Sequence, residues 1–183
     1  MATTAHPAPT EAAIRNVLDK EAIRELVQLY SRAIDKRDYL LLRDLYTNDA
    51  IDSHGPEFEG GIDEFIAMIE AAMPNYAWTG HHVCNHMIAV DGDTADGEVY
   101  ALALHVVPDP DNPGERIEDF LAVRYIDNYR RCADGKWRLS RRWVAFDMQV
   151  YQPFTGGGLL GTSEPDPSYE VLRHRLFQRG VRS

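Results

Sequence analysis

The chain has 183 residues, with 19 Lys and Arg against 29 Asp and Glu (a formal charge of −10), and 44% of its residues are hydrophobic. This is the composition of one compact domain; it excludes disorder for the bulk of the chain and gives no basic footprint for nucleic acid or anionic membranes. Cys84 and Cys132 lie far apart, outside any CxxC pair, and the N-terminus shows no signal-peptide pattern, so a reducing cytoplasm is the expected location.

Residues 1–10 are small, polar and proline-containing, and read as a disordered lead-in. From Ile14 to Ile34 apolar residues recur at three- and four-residue steps, which predicts a helix facing a core. A second short helix is expected from Tyr39 to about Tyr46, with Asp38 as N-cap and Thr47-Asn48-Asp49 as its close. Ala50–His54 is short and extended, and Gly55-Pro56 breaks it. A helical run, Ile62–Met73, then ends at Pro74.

The period then changes. His81–Val90 and Thr94–Val107 read as strands joined by the Asp91-Gly92-Asp93 turn, and Pro108–Gly114 is a loop. Ile117–Arg131 and Lys136–Val150 are two further strands. Helices followed by a meander of long strands make an α+β domain over 11–152. Residues 153–183 comprise a Gly-rich linker and a last helix from Asp166-Pro167 to about Gln178. Its basic Arg173–Arg182 segment is either a solvated face or a surface that packs on a neighbouring subunit. No Gly-rich phosphate loop is present.

The densest cluster of chemically able residues is Trp78–His86, with His81, His82 and His86 inside six positions. Strict alternation puts His81, Val83 and Asn85 on one face and His82, Cys84 and His86 on the other. If the first face lines a cavity, His81 is a proton-transfer candidate and Asn85 an orienting amide. The second face offers a zinc ion only three ligands, and no spacing advertises a fourth, so no metal is expected. Asp35 ends the first apolar stripe, either as a surface partner of Lys36 and Arg37 or as an inward carboxylate that holds a histidine. Tyr30 continues the stripe, about 140° from Asp35 around an ideal helix. Asp52 and His54, Tyr125 with Asp127, and Arg142 on a face with Ser140, Val144 and Phe146 are polar where a plain core would not want them.

Ile23–Leu26, Tyr30–Asp38, Thr79–His86, Val90–Ala95, Arg124–Asp127 and Asp134–Arg142, in that order and spacing, resemble the SnoaL-like branch of the nuclear-transport-factor-2-like superfamily. Within it the chain looks most like the group holding scytalone dehydratase, hexachlorocyclohexane dehydrochlorinase and bile-acid 7α-dehydratase. The resemblance implies a cone-shaped, curved, mostly antiparallel sheet wrapped around the N-terminal helices and enclosing a pocket. It implies elimination of water or chloride by an aspartate-histidine pair without cofactor; the aspartate falls on Asp35 and the histidine on His81, with His82 as the alternative register. By the same resemblance Tyr30 is a catalytic hydrogen-bond donor and Arg142 a substrate-binding arginine. Asn85, Tyr125, Val83, Val144, Phe146, Asp52 and His54 are expected around the substrate, an apolar cyclic small molecule. A homo-oligomer is implied, a trimer ahead of a dimer. The fold also serves isomerases, non-catalytic binding proteins and oxygenase accessory subunits, which stand as the alternatives.

Overall fold

The computed structural model describes residues 8–157 and 166–182. The expected N-terminal lead-in and Gly-rich linker therefore fall largely outside the described residues. Helix α1, Glu11–Asp35, opens at Thr10, whose hydroxyl accepts the Ala13 N–H at 3.2 Å. From Ile23 onward it buries Leu26, Val27, Tyr30, Ala33 and Ile34. Ile14, Val17 and Leu18 belong to the same stripe yet stay exposed. Nothing among the described residues covers that first stretch, so the stripe becomes a core face only further along.

Arg37, at φ 54°, takes the left-handed position after the helix end, while the Asp38 N–H returns to the Ala33 carbonyl at 2.9 Å. Asp38 then caps α2, Tyr39–Asp44, by accepting the Leu41 N–H at 3.0 Å. The expected close of this helix at Thr47-Asn48-Asp49 is instead the start of strand β1, Tyr46–Ser53, because Tyr46 pairs with Leu139 of a later strand. Strand β2 is Glu59–Gly61, and α3, Ile62–Ala72, passes into a 3-10 turn at Met73–Asn75 that contains Pro74.

Four long strands follow: β3 (Trp78–Asp91), β4 (Thr94–Pro108), β5 (Arg116–Arg131) and β6 (Trp137–Pro153). The spatial order is β2-β1-β6-β5-β4-β3, with β1 parallel to β6 and every other pair antiparallel. The sheet is curved and unclosed. One core joins its concave face to α1, α2 and α3, with Leu42, Phe65, Val99 and Leu139 at its centre. No helix among the described residues is long and apolar enough to cross a membrane.

The expected long C-terminal helix is shorter. It consists of α4, Pro167–Val171, then a 3-10 turn at Arg175–Phe177. This segment lies on the chain's own α1 and α2. Arg32 stacks near the rings of Tyr169 and Phe177, Lys36 pairs with Asp166, and Arg182 reaches Asp44 at 3.0 Å. Of the segment's basic residues, Arg182 thus serves one of the chain's own acidic groups.

Candidate active site

Asp35 is the last residue of α1, so its carboxylate leaves the helix end and points toward the start of β3. There it accepts three hydrogen bonds: from the His81 ring at Nδ1 (2.7 Å), the His81 backbone N–H (3.0 Å) and the Thr79 hydroxyl (3.0 Å). Arg37 donates to the same Thr79 hydroxyl at 2.8 Å, so the turn after α1 braces the strand that carries His81. A carboxylate that accepts from Nδ1 fixes the neutral imidazole with its proton on that nitrogen and a lone pair on Nε2. The helix end also resolves the angular separation of Tyr30 and Asp35: Tyr30 reaches the cavity from the helix side, Asp35 from beyond the last turn.

His81 lines a cavity of about 550 Å³ between the concave sheet and α1 and α3. Tyr30, His54, Tyr125, Val144 and Phe146 line it as well. Phe65, Ile69, Leu121 and Val123 supply more of its apolar wall. Asp35 and Asp52 stand one step behind, as carboxylate partners of His81 and His54. Burial pushes the Tyr30 hydroxyl well above the ordinary phenol value, with Arg142 opposing, so it stays a neutral donor. Burial likewise pushes Tyr125 up to about 12.

Three expected site residues lie elsewhere. A bulge between Val83 and His86 interrupts the alternation of β3, so Asn85 is exposed and His86 turns inward in its place. Val83 is half-buried against the core but is not part of the cavity wall. His82 and Cys84 are exposed, and no metal-binding group of three or more ligands occurs among the described residues.

Arg142 is fully buried behind the wall rather than in it. Its guanidinium pairs bidentately with Asp127 at 2.8 and 2.7 Å and lies 4.1 Å from the ring centres of both Tyr30 and Tyr125. Cross-strand register explains this: Asp127 of β5 is opposite Arg142 of β6, so its anionic partner is internal. Asp127 also accepts the Tyr129 hydroxyl at 2.8 Å, and that oxygen lies 3.2 Å from His86 Nε2.

The sequence reading missed a further polar group. His105 of β4 and Asp119 of β5 are register partners, with Nδ1 and Oδ2 3.5 Å apart. The His105 ring centre is 5.5 Å from that of His81, and Tyr76 meets His105 edge-on at 5.2 Å. Gln149 and Tyr151 complete this side. Extending the period of two from Tyr125 and Asp127 back along β5 reaches Asp119, so that residue was within reach. Gln149 and Tyr151 depend on a bulge at Asp147, where β6 gains one residue against Ala122 and Val123.

Residues 15–143 match the SnoaL-like domain family, and the chain belongs to it. An uncharacterised protein of Mycobacterium tuberculosis is 31% identical over 137 residues, covering 70% of this chain and 86% of its own length. Among solved structures, a candidate scytalone dehydratase from Novosphingobium aromaticivorans is similar with a TM-score of 0.66 at 24% identity, over 81% of this chain and 97% of its own. The hexachlorocyclohexane dehydrochlorinase LinA-type3 from Novosphingobium barchaimii has a TM-score of 0.66 at 19% identity, over 80% of this chain and 97% of its own. At these identities the likeness establishes the shared fold.

Proposed function

We propose that the protein is a cofactor-independent lyase that eliminates water, or a related leaving group, from a mostly apolar cyclic small molecule. The observation that carries this reading is the Asp35–His81 pair at 2.7 Å, with His81 on the wall of a largely apolar cavity. Nε2 of His81 makes no hydrogen bond to the described residues and is the base that takes a proton from carbon. Asp35 holds the ring and balances the imidazolium that forms. Tyr30 donates a hydrogen bond to the oxygen that gains charge. Two of the structural neighbours are named for a dehydratase and a dehydrochlorinase, which supports elimination over other chemistries.

Turnover of scytalone, hexachlorocyclohexane and simple cyclic β-hydroxy ketones tests the proposal. His81→Ala is expected to lose about 10²- to 10⁴-fold in kcat/KM. Retained turnover in that variant would sink the assignment. Deuterium from solvent appearing on carbon, with no alkene formed, would make the protein an isomerase instead. The homo-oligomer expected from the family resemblance, trimer first, is checked separately by sedimentation equilibrium.

A further inference from the structure

The cavity holds a second aspartate-histidine pair, with its carboxylate fully buried, which the elimination chemistry above leaves without a task. Asp52, on β1, is 0% exposed, and its Oδ2 accepts the Tyr46 hydroxyl at 2.6 Å. Its other oxygen lies 2.7 Å from Nδ1 of His54, the only basic side chain within 4.0 Å of it among the described residues. The two atoms are close without the alignment of a hydrogen bond. The ring of His54 stacks on Phe65 at 4.8 Å and 26°, which fixes its plane. With Nδ1 on the buried carboxylate, Nε2 is the remaining ring nitrogen, and His54 lines the cavity.

The proton that an acid role requires would sit on the imidazole beside this carboxylate; Arg142, across from Asp52 on β6, is held by Asp127. The position of the pair matters as much as its charge. His54 follows β1 and His81 sits on β3; β6, β5 and β4 separate those strands in a curved sheet. The two imidazoles therefore reach the cavity from strands toward opposite ends of the sheet. His105 does not offer this, because its ring is beside that of His81 on the adjacent strand. Glu57, three residues beyond His54, is the nearest other titratable group in the chain that shares the cavity.

We infer that His54, backed by Asp52, is the proton donor to the leaving group. This rests on the elimination reading and adds a second partner to it. In the step, the C–H electron pair becomes the new C=C bond as the proton passes to His81 Nε2. The C–O bond breaks, its electrons go to oxygen, and that oxygen takes the proton of His54 Nε2 and leaves as water. His81 ends protonated and His54 neutral, and proton exchange with solvent restores both.

A leaving group that departs without a proton distinguishes the two histidines. The probes are 3-hydroxycyclohexanone and 3-chlorocyclohexanone, both of which give cyclohex-2-enone. His54→Gln is expected to lower kcat/KM about 10²- to 10⁴-fold for the hydroxy ketone and less than about tenfold for the chloro ketone. His81→Ala is expected to lower both. Asp52→Asn should reproduce the His54→Gln split in weaker form and serves if His54→Gln does not fold. Equal losses on the two probes in both variants at position 54 or 52, or no loss on either, overturn the acid role while leaving the base role intact. Unchanged rates in His81→Ala overturn the base role, and no turnover of either probe by the wild-type protein overturns both.

Discussion

Asp35 has acceptor capacity only, and three donors converge on it. Replacing it with asparagine presents an amide N–H₂ to Nδ1 and so favours the tautomer with its proton on Nε2, the wrong one for a base. Asp35→Asn is therefore expected to lose about 10²-fold or more in kcat with little change in melting temperature, read by parallel kinetics and thermal unfolding. Tyr30 acts through its hydroxyl alone. Tyr30→Phe keeps the ring between Arg142 and Tyr46, and is expected to cost about 10- to 10²-fold in kcat, below the loss on removing a full oxyanion donor. Since burial holds the Tyr30 hydroxyl well above the ordinary phenol value, that residue should leave no inflection in the pH–rate profile near neutrality.

At the scale of elements, the β5–β6 pairing carries the most consequential buried charge. Arg142→Met strands Asp127 without its cation and is expected to destabilise the protein by about 3–5 kcal/mol in urea unfolding. The double change with Asp127→Leu should recover much of that loss. Next to this pair, burial lowers His86 to about 4, with Arg24 and Arg142 pushing the same way and Asp127 opposing. Its folded value lies below the unfolded one of about 6.5, so the unfolded chain binds the extra proton between them. The contribution of His86 is fully present above about 6.5 and is lost as pH falls toward 4. A His86→Gln variant should flatten that part of the stability–pH curve. The same elements show what periodicity conveys. The four long strands and α1 were legible, because strands of 14 to 17 residues and a 25-residue helix repeat their pattern many times, whereas the Asp35–His81 pair came from the family resemblance, the residues alone leaving Asp35 at the surface or inward. The exposure of Asn85 and the inward turn of His86 were not, since a single inserted residue reverses every later side chain and leaves no mark in composition. Arg142 was expected to bind substrate; only the strand register reveals that its partner is the internal carboxylate of Asp127.

Across the whole molecule, the family match stops at residue 143, and the solved relatives are covered almost end to end while about a fifth of this chain is not. The segment 166–182 lies beyond the family match and clamps α1 and α2 through Arg32, Lys36, Asp38 and Asp44. Its ion pair with Lys36, opposed by burial, brings Asp166 down to about 2. A chain ending at Gly157 is expected to fold, because none of the fully buried core residues lies in the tail and only Leu176 of it packs against them, but with about 1–3 kcal/mol less stability in thermal or urea unfolding. The cavity wall has a consequence of another kind. Glu57 and Asp119 belong to it, while no lysine or arginine does among the described residues. A molecule carrying a carboxylate or phosphate would meet those two acidic side chains with no lysine or arginine on the wall to offset them. The expected outcome is discrimination by charge ahead of shape: in calorimetric titrations an uncharged ring compound should bind more tightly than its acidic analogue.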